Sequence, residues 1–420
     1  VDEFAERAAA WSFDTAAEVA GVDPASIAEL AERYVTAEPA VVRCGWGLER
    51  NRNGGSAVAA VLALSAVAGK FGVRGGGYTM SNAKAWNLDA SIAAAEDEVL
   101  TRVINMNKTG EVLLESAPPV KGLFVYNCNP LATLPAQGKV RRGLMREDLF
   151  TVVFDQVMTD TARYADVVLP ATTFLERPEL ARSYGAYTLQ RCEAMLDPVG
   201  ESRSNHEVFA TLCELSGLAR PGDAVGEDEI IDTILGGATR GQEMRGALSE
   251  KGISFPRFGT SPIQFVDVFP GTEDGKIHLV SEELDSEAAQ RGGLYFYERD
   301  PASESYPIAL ISPAHKLTVS STFGQLRRTL VPVEVHPEDA VARGIKEGTR
   351  VRVFNGNTEV HCVATINSSM RTGVASIPKG TWDHNTLSGN TANALVPDSL
   401  ADIAGGACFN DTRVQIEVIE

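Results

Sequence analysis

The chain has 420 residues, with 38 Lys and Arg against 56 Asp and Glu, a net charge of −18. A surface so acidic excludes nucleic acid as a general partner, because a phosphate backbone needs a basic face. Hydrophobic residues at 44% and charged residues at 22% exclude a disordered chain, and at about 150 residues per domain the length predicts two to four domains.

The N-terminus, VDEFAERAAAW, is acidic and helical, unlike a secretory leader, and has no initiator Met. Residue 1 is therefore read as lying inside a longer protein. Asp23 and Pro24 suit the N-cap and first position of a helix, with Ile27, Leu30, Ala31 and Tyr34 at helical spacing. Residues 40–46 (AVVRCGW) read as a buried strand, and Gly54-Gly55 opens an apolar helix that runs to Gly69. Its apolar run, 57–68, is too short for a membrane span of about 20 residues, so it reads as a buried helix.

Strand and helix then alternate. LFVYN (123–127), LFTVVFD (149–155) and DVVLP (166–170) are apolar strands. A helix is predicted over 135–146, a helical turn over 160–165, and a capped amphipathic helix over 204–218. Apolar residues on both faces predict a parallel sheet covered by helices. Residues 219–303 show no strong periodicity; Asp274-Gly275 predicts a hairpin, and 285–305 reads as a linker. From Tyr306 six strand patterns follow: YPIALIS, VPVEV, RVRVFN, EVHCVATI, VASIP and RVQIEVI. Asn355-Gly356 marks a hairpin, and one short helix, 337–343, ends at Gly344. Six strands with one isolated helix predict a compact β-barrel.

Ligands of open parallel sheets bind beyond the carboxyl ends of the strands. Three such ends carry polar groups: Asn127, Asn129 and Pro130; Asp155, with Thr159 and Thr161; and 172–176. Asp155 can accept from a ribose or purine edge, and the threonines suit an anion. The same residues are equally what helix caps and a plain turn require. His315 follows an apolar strand. Cys44 and Cys128, at strand ends, read as small buried apolar residues. The six cysteines include no C-x-x-C pair, the histidines show no metal-ligand spacing, and there is neither G-x-G-x-x-G nor G-x-S-x-G. No metal ligand is assigned within the chain.

Taken together and in order, GWGLER (45–50), Gly54-Gly55, AGKFGVRGGG (68–77), YNCNPLATLP (126–135), VVFDQVMTDTARYADVVLPATTFLE (152–176), SYG (183–185), GESRSNHEVF (200–209), GKIHLVSEEL (275–284) and VEVHPEDAVARGIKEGTRVRVFN (333–355) resemble one family. It is the molybdopterin-dependent oxidoreductases of the dimethyl sulfoxide reductase superfamily, in their C-terminal portion. The resemblance implies doubly wound parallel-sheet nucleotide-binding domains followed by a C-terminal six-stranded, double-psi-like β-barrel. The implied boundaries are 1–82, the end of a first α/β domain; 83–290, a second; 291–305, a linker; and 306–420, the barrel.

The implied cofactor is a pair of molybdopterin guanine dinucleotides holding molybdenum or tungsten. Gly45, Trp46, Gly47, Glu49 and Arg50 would lie near one dinucleotide, and Asn127, Asn129, Pro130, Asp155, Thr159 and Thr161 near the other. His315, Ser320, Ser321, Trp382, Asn393 and Asn410 would reach them from the barrel. The family's Cys-rich 4Fe-4S segment and its protein ligand to the metal precede the region matched here, so this chain alone is expected to be inactive. An iron–sulfur domain or subunit is the implied electron partner and a small molecule the substrate, with cytoplasm and periplasm both open as compartments. The stretch TMSNAKAWN (79–87) lacks the arginine of the formate-oxidising branch, and the GWGLER loop is closer to the S- and N-oxide reductases. A metal-free structural homologue of a respiratory complex, and a hydratase or transhydroxylase, are the alternatives.

Overall fold

The structure, a computed structural model, describes residues 1–82, 84–93, 101–317, 319–327 and 329–419. Its first block contains α1 (Asp2–Ala8), α2 (Phe13–Ala20), α3 (Pro24–Thr36), β1 (Val41–Arg43), α4 (Gly54–Val67) and β2 (Gly77–Thr79). Ser12 caps α2 by accepting the Thr15 N–H at 3.0 Å, and Gly21, at φ 62°, ends it. β1 and β2 pair in parallel, with Val41 opposite Gly77. The strand expected over 40–46 is only three residues long and is not buried: Val41 is 52% exposed. Two paired strands have faces that a single helix cannot cover. For the same reason α4 is buried on one side only, with Ala63 and Ser65 inside and Leu64 and Val67 about half exposed.

The second block runs through α5 (Thr109–Glu115), β3 (Gly122–Tyr126), α6 (Pro130–Thr133), α7 (Gln137–Leu144), β4 (Phe150–Asp155) and β5 (Val167–Pro170). Then come β6 (Glu179–Arg182), β7 (Leu189–Cys192), α8 (Asn205–Leu215), α9 (Glu227–Gly237), α10 (Gly241–Lys251), β8 (Ile253–Ser254) and α11 (Glu282–Glu287). β3, β4 and β5 form a parallel sheet with β4 central. Thr151, Val153 and Phe154 of β4 are fully buried, whereas Val167 and Val168 on the β5 edge are more than a third exposed. The two-sided cover expected of the sheet thus holds at its centre and fails at its edge. Ser204 and Glu207 close a reciprocal capping box at α8.

Three expectations for 219–305 are corrected. The region is not aperiodic: Ile231 and Leu235 of α9 pack with Met244 and Leu248 of α10, Leu189 of β7 and Trp86. Asp274-Gly275 is a turn, with Asp274 accepting the Lys276 N–H at 3.1 Å, but no strand flanks it among the described residues. An Asx turn satisfies the same residue types without a ladder. Nor is 285–305 a loose linker, because Ala288 and Leu294 are buried and Arg291–Glu298 and Arg413–Asp300 ion pairs tie it down.

All six C-terminal strands form: β9 (Ile308–Ile311), β10 (Pro332–Val335), β11 (Arg350–Phe354), β12 (Glu359–Ile366), β13 (Val374–Ser376) and β14 (Arg413–Val418). They close a barrel in the order β10-β12-β11-β14-β9-β13. Alternate residues point inward, so Val333, Val335, Val351, Val353, Val360, Cys362, Ala364, Val414 and Ile416 fill one core. Burying each of the larger aliphatic side chains contributes about 1.5–3 kcal/mol. The Asn355-Gly356 hairpin joins β11 and β12, with Asn355 N–H donating to Thr358 C=O at 3.0 Å. The lone helix, α12 (Pro337–Ala342), begins at His336 and is followed by Gly344 at φ 66°. The chain is thus a mixed α/β protein with parallel sheets and a closed six-stranded β-barrel.

Candidate functional site

The tips of β3 and β4 are laced together. After β3 the backbone turns through Asn127, at φ 54°, and Pro130 opens α6. The buried Asn129 Oδ1 accepts from Thr161 Oγ1 at 2.7 Å, and Thr161 Oγ1 accepts the Leu131 N–H at 3.0 Å. Thr159 Oγ1 accepts the Ala162 N–H at 3.1 Å, capping the turn after β4. These hydroxyls therefore hold the loops in place. One group that remains open here is the Asn129 Nδ2, buried without a partner, while Asp155 accepts the Gln156 N–H at 2.7 Å. Asp155 is half-buried, and burial pushes its carboxyl up, so its anion gains from any donor that approaches. Cys44 is buried as read from sequence, but Cys128 is exposed, because the turn carries it past the end of β3.

The barrel presents two loops to these tips. Trp382, buried, donates from Nε1 to Ser321 C=O at 2.8 Å. Gly380, at φ 72°, passes so close to Ser320 that a Cβ would lie 1.6 Å from its carbonyl oxygen. Asn385 fixes both loops: it accepts the Trp382 N–H at 3.0 Å and donates to Arg327 C=O at 2.6 Å and Thr329 C=O at 3.2 Å. Asn393 donates to Ala132 C=O at 3.0 Å, and Gln137 accepts the Thr391 N–H at 3.0 Å, docking the barrel on α6 and α7. His315 Nδ1 accepts the Leu317 N–H at 3.1 Å; burial, with Arg327 and Lys316 nearby, lowers its pKa and favours the neutral ring.

The 45–50 loop meets the barrel on the other flank. Gly47 C=O accepts from Asn410 Nδ2 at 3.1 Å, and the Arg50 guanidinium sits 5.7 Å over the Phe409 ring. The half-exposed Trp46 donates to the Tyr184 hydroxyl, joining this loop to SYG. Glu49 keeps one buried carboxylate oxygen without a partner. The α4 N-terminus beside this loop is not open to a phosphate. Asp402 of the barrel accepts the Gly55 and Ser56 N–H groups at 2.9 and 3.0 Å.

The sequence-predicted residues thus fall in two groups. Asn127, Asn129, Pro130, Asp155, Thr159 and Thr161 share a region with His315, Ser320, Ser321, Trp382 and Asn393, while Gly45, Trp46, Gly47, Glu49 and Arg50 meet Asn410. The segment 379–382 joins them, since Lys379 feels the positive field of Arg50. Sequence reading missed Arg327, Lys379, Gln325 and Asp402. Arg327 Nε and Nη1 and Gln325 Oε1 are buried without partners, and burial lowers the pKa of both Arg327 and Lys379. In a chain of charge −18, these under-compensated cations and open amides are what an anionic, amide-rich ligand would satisfy. A dinucleotide with diphosphate and purine fits that donor set. No spacing signal could have found Arg327, because burial rather than sequence singles it out.

Residues 6–215 match the molybdopterin oxidoreductase family model, and residues 314–413 match that of the molybdopterin dinucleotide-binding domain. The chain belongs to the molybdopterin oxidoreductase family. It is 30% identical to a probable oxidoreductase, YoaE, of Bacillus subtilis, over all of this chain and 62% of that protein. It is 27% identical to the dimethyl sulfoxide/trimethylamine N-oxide reductase of Cereibacter sphaeroides, over 87% of this chain and 52% of that protein. This molybdopterin oxidoreductase chain therefore spans between half and two thirds of the length of these relatives. In fold it is similar to acetylene hydratase from Pelobacter acetylenicus, with a TM-score of 0.78 and 19% identity over 99% of this chain and 66% of that one. Among the described residues, no helix is long and apolar enough to cross a membrane.

Proposed function

We propose that this chain grips two molybdopterin guanine dinucleotides carrying molybdenum or tungsten, in an enzyme that reduces a small S- or N-oxide. The observation that carries the reading is the buried, unpartnered guanidinium edge of Arg327 at the barrel mouth, between His315 and the Trp382 loop. The dimethyl sulfoxide/trimethylamine N-oxide reductase of Cereibacter sphaeroides supports the substrate class. When bound, the group supplies two-electron and oxygen-atom transfer at its metal. Arg327, Lys379 and Arg50 neutralise its phosphates. The Asp155 carboxylate accepts from a purine edge, and Asn129 Nδ2 donates nearby. Trp382 and Asn385 keep the barrel loops fixed, and the neutral His315 offers one N–H without adding charge. An iron–sulfur domain or subunit would deliver the electrons.

The test uses the natural full-length protein. Metal content and released pterin are measured in wild type, Arg327→Ala and Asp155→Ala. A lost charge-assisted hydrogen bond of about 1.5–3 kcal/mol predicts roughly ten- to hundredfold weaker cofactor retention. Wild-type protein without molybdenum, tungsten or pterin, or variants that retain a full complement, would overturn the reading.

A further inference from the structure

The turn after β4 and the barrel loop after Trp382 bring together three side chains that the cofactor reading leaves without a role. Asp160, in the second block, is fully buried. Its Oδ2 accepts the Asp383 N–H at 2.8 Å, while its Oδ1 has no hydrogen-bond partner. Asp383 and His384, from the barrel, converge on it; one ligand atom from each of the three residues lies within 4.8 Å of the others. An unpartnered carboxylate oxygen in a fully buried residue is costly.

His384 is presented as a metal-binding histidine is. Its Nε2 lies 2.9 Å from the Arg327 C=O, a hydrogen bond that puts the proton on Nε2 and leaves the Nδ1 lone pair free. That Nδ1 lies 3.7 Å from Asp383 Oδ1. A cation already reaches towards the same focus. Arg163 Nη1 lies 3.2 and 3.3 Å from the two Asp383 oxygens but 3.9 Å from Asp160 Oδ1, too far for a hydrogen bond. The Arg163 side chain is half exposed and can swing away.

We propose that Asp160, Asp383 and His384 form a divalent-cation site that staples the second α/β block to the barrel. Two hard carboxylates and one imidazole suit Mn2+ or Zn2+. Metal–ligand bonds of about 2.0–2.2 Å require the three atoms to close to roughly 3.4 Å of one another. Asp160 is the fixed ligand, and the partly exposed Asp383 and His384 side chains supply the movement. The site is independent of the pterin assignment, since none of its ligands is assigned to the cofactor.

The experiment titrates Mn2+ into the metal-stripped full chain and follows the loss of the free-ion electron paramagnetic resonance signal. Zn2+ is then added as competitor. The expected result is one saturable site per chain, an upward shift of the thermal midpoint with Mn2+, and displacement by Zn2+. Asp160→Asn, which keeps an acceptor for the Asp383 amide, and His384→Ala each weaken binding at least tenfold and abolish the thermal shift. Arg163→Gln tightens binding by removing the competing positive charge. The partly exposed His384 keeps the test decisive should Asp160→Asn fail to fold. No stoichiometric binding in wild type, showing Arg163 to be the resident cation, or undiminished binding in His384→Ala, would overturn the proposal.

Discussion

The helix α4 has no cap of its own: Asn53 at its N-cap makes no side-chain bond to the first turn. The acceptor is supplied from far along the chain by Asp402, whose two oxygens take the Gly55 and Ser56 N–H groups at 2.9 and 3.0 Å in a nearly buried setting. Removing a capping acceptor costs about 0.5–2 kcal/mol, and removing a negative charge from a helix N-terminus costs up to about 1 kcal/mol more. Asp402→Ala is therefore expected to weaken local closure by roughly 1–3 kcal/mol, an about 5- to 150-fold faster amide exchange at Gly55 and Ser56. Asp402→Asn retains one acceptor without the charge and falls about midway. Because the freed turn is a helix N-terminus, sulfate restores part of the protection in Asp402→Ala. Exchange at Gly55 and Ser56 that rises less than threefold in Asp402→Ala would refute the assignment.

Further outcomes follow from the same structure. Asn385→Ala strips the acceptor from the buried Trp382 N–H and the Nδ2 donor from Thr329 C=O, leaving Arg327 C=O to His384 alone, and lowers barrel stability by about 1–3 kcal/mol, read by thermal unfolding, while Asn385→Asp keeps the acceptor and loses both donor bonds. Gly380→Ala places a Cβ against Ser320 C=O in a left-handed backbone and costs roughly 3 kcal/mol or more by the same measurement. Asp285, held to a pKa of about 2 by the Arg7 guanidinium and the Leu294 N–H, ties α1 to the segment after α11. Its folded pKa lies below the unfolded value, so its contribution, about 1 kcal/mol after solvent screening, is full above pH 4 and disappears as pH falls towards 2. Protection factors in α1, exchange rates corrected for the intrinsic pH dependence, should fall with acid over that range in wild type and lose that dependence on Asp285 in Asp285→Asn. Iodoacetamide at pH 8 should label the exposed Cys128 before Cys362 and Cys408, whose thiols burial pushes up to about 12 and 11, as mass spectrometry of tryptic peptides would show.

The barrel was legible in the sequence because each strand alternates with period two, and Asn355-Gly356 and Gly344 mark its turns with residues that favour those conformations. The central sheet was legible because β4 is apolar on both faces. What escaped was long-range. α9 begins with three acidic residues and buries only Ile231 and Leu235 of its own, so its amphipathic signal is thin until Leu189 and Trp86 complete the cluster. At the site, Asn129 and Thr161 read from the sequence as polar residues at two separate strand ends, and the hydrogen bond between them is not written in either segment. Arg327 lay in an unremarkable loop, and Asp160 and Asp383 are 223 positions apart. Only tertiary structure could reveal their juxtaposition.

Among the described strands β14 comes latest in sequence, and it is inserted between β11 and β9, which lie far earlier in the chain. Until it emerges, both neighbours carry open hydrogen-bonding edges, and the ring is a curled ribbon with a slot. A protein deprived of Arg413–Val418 would be more than shortened. It would be left unclosed, with two sticky margins exposed along its most apolar module, and the clamp over the strand tips would have no keystone.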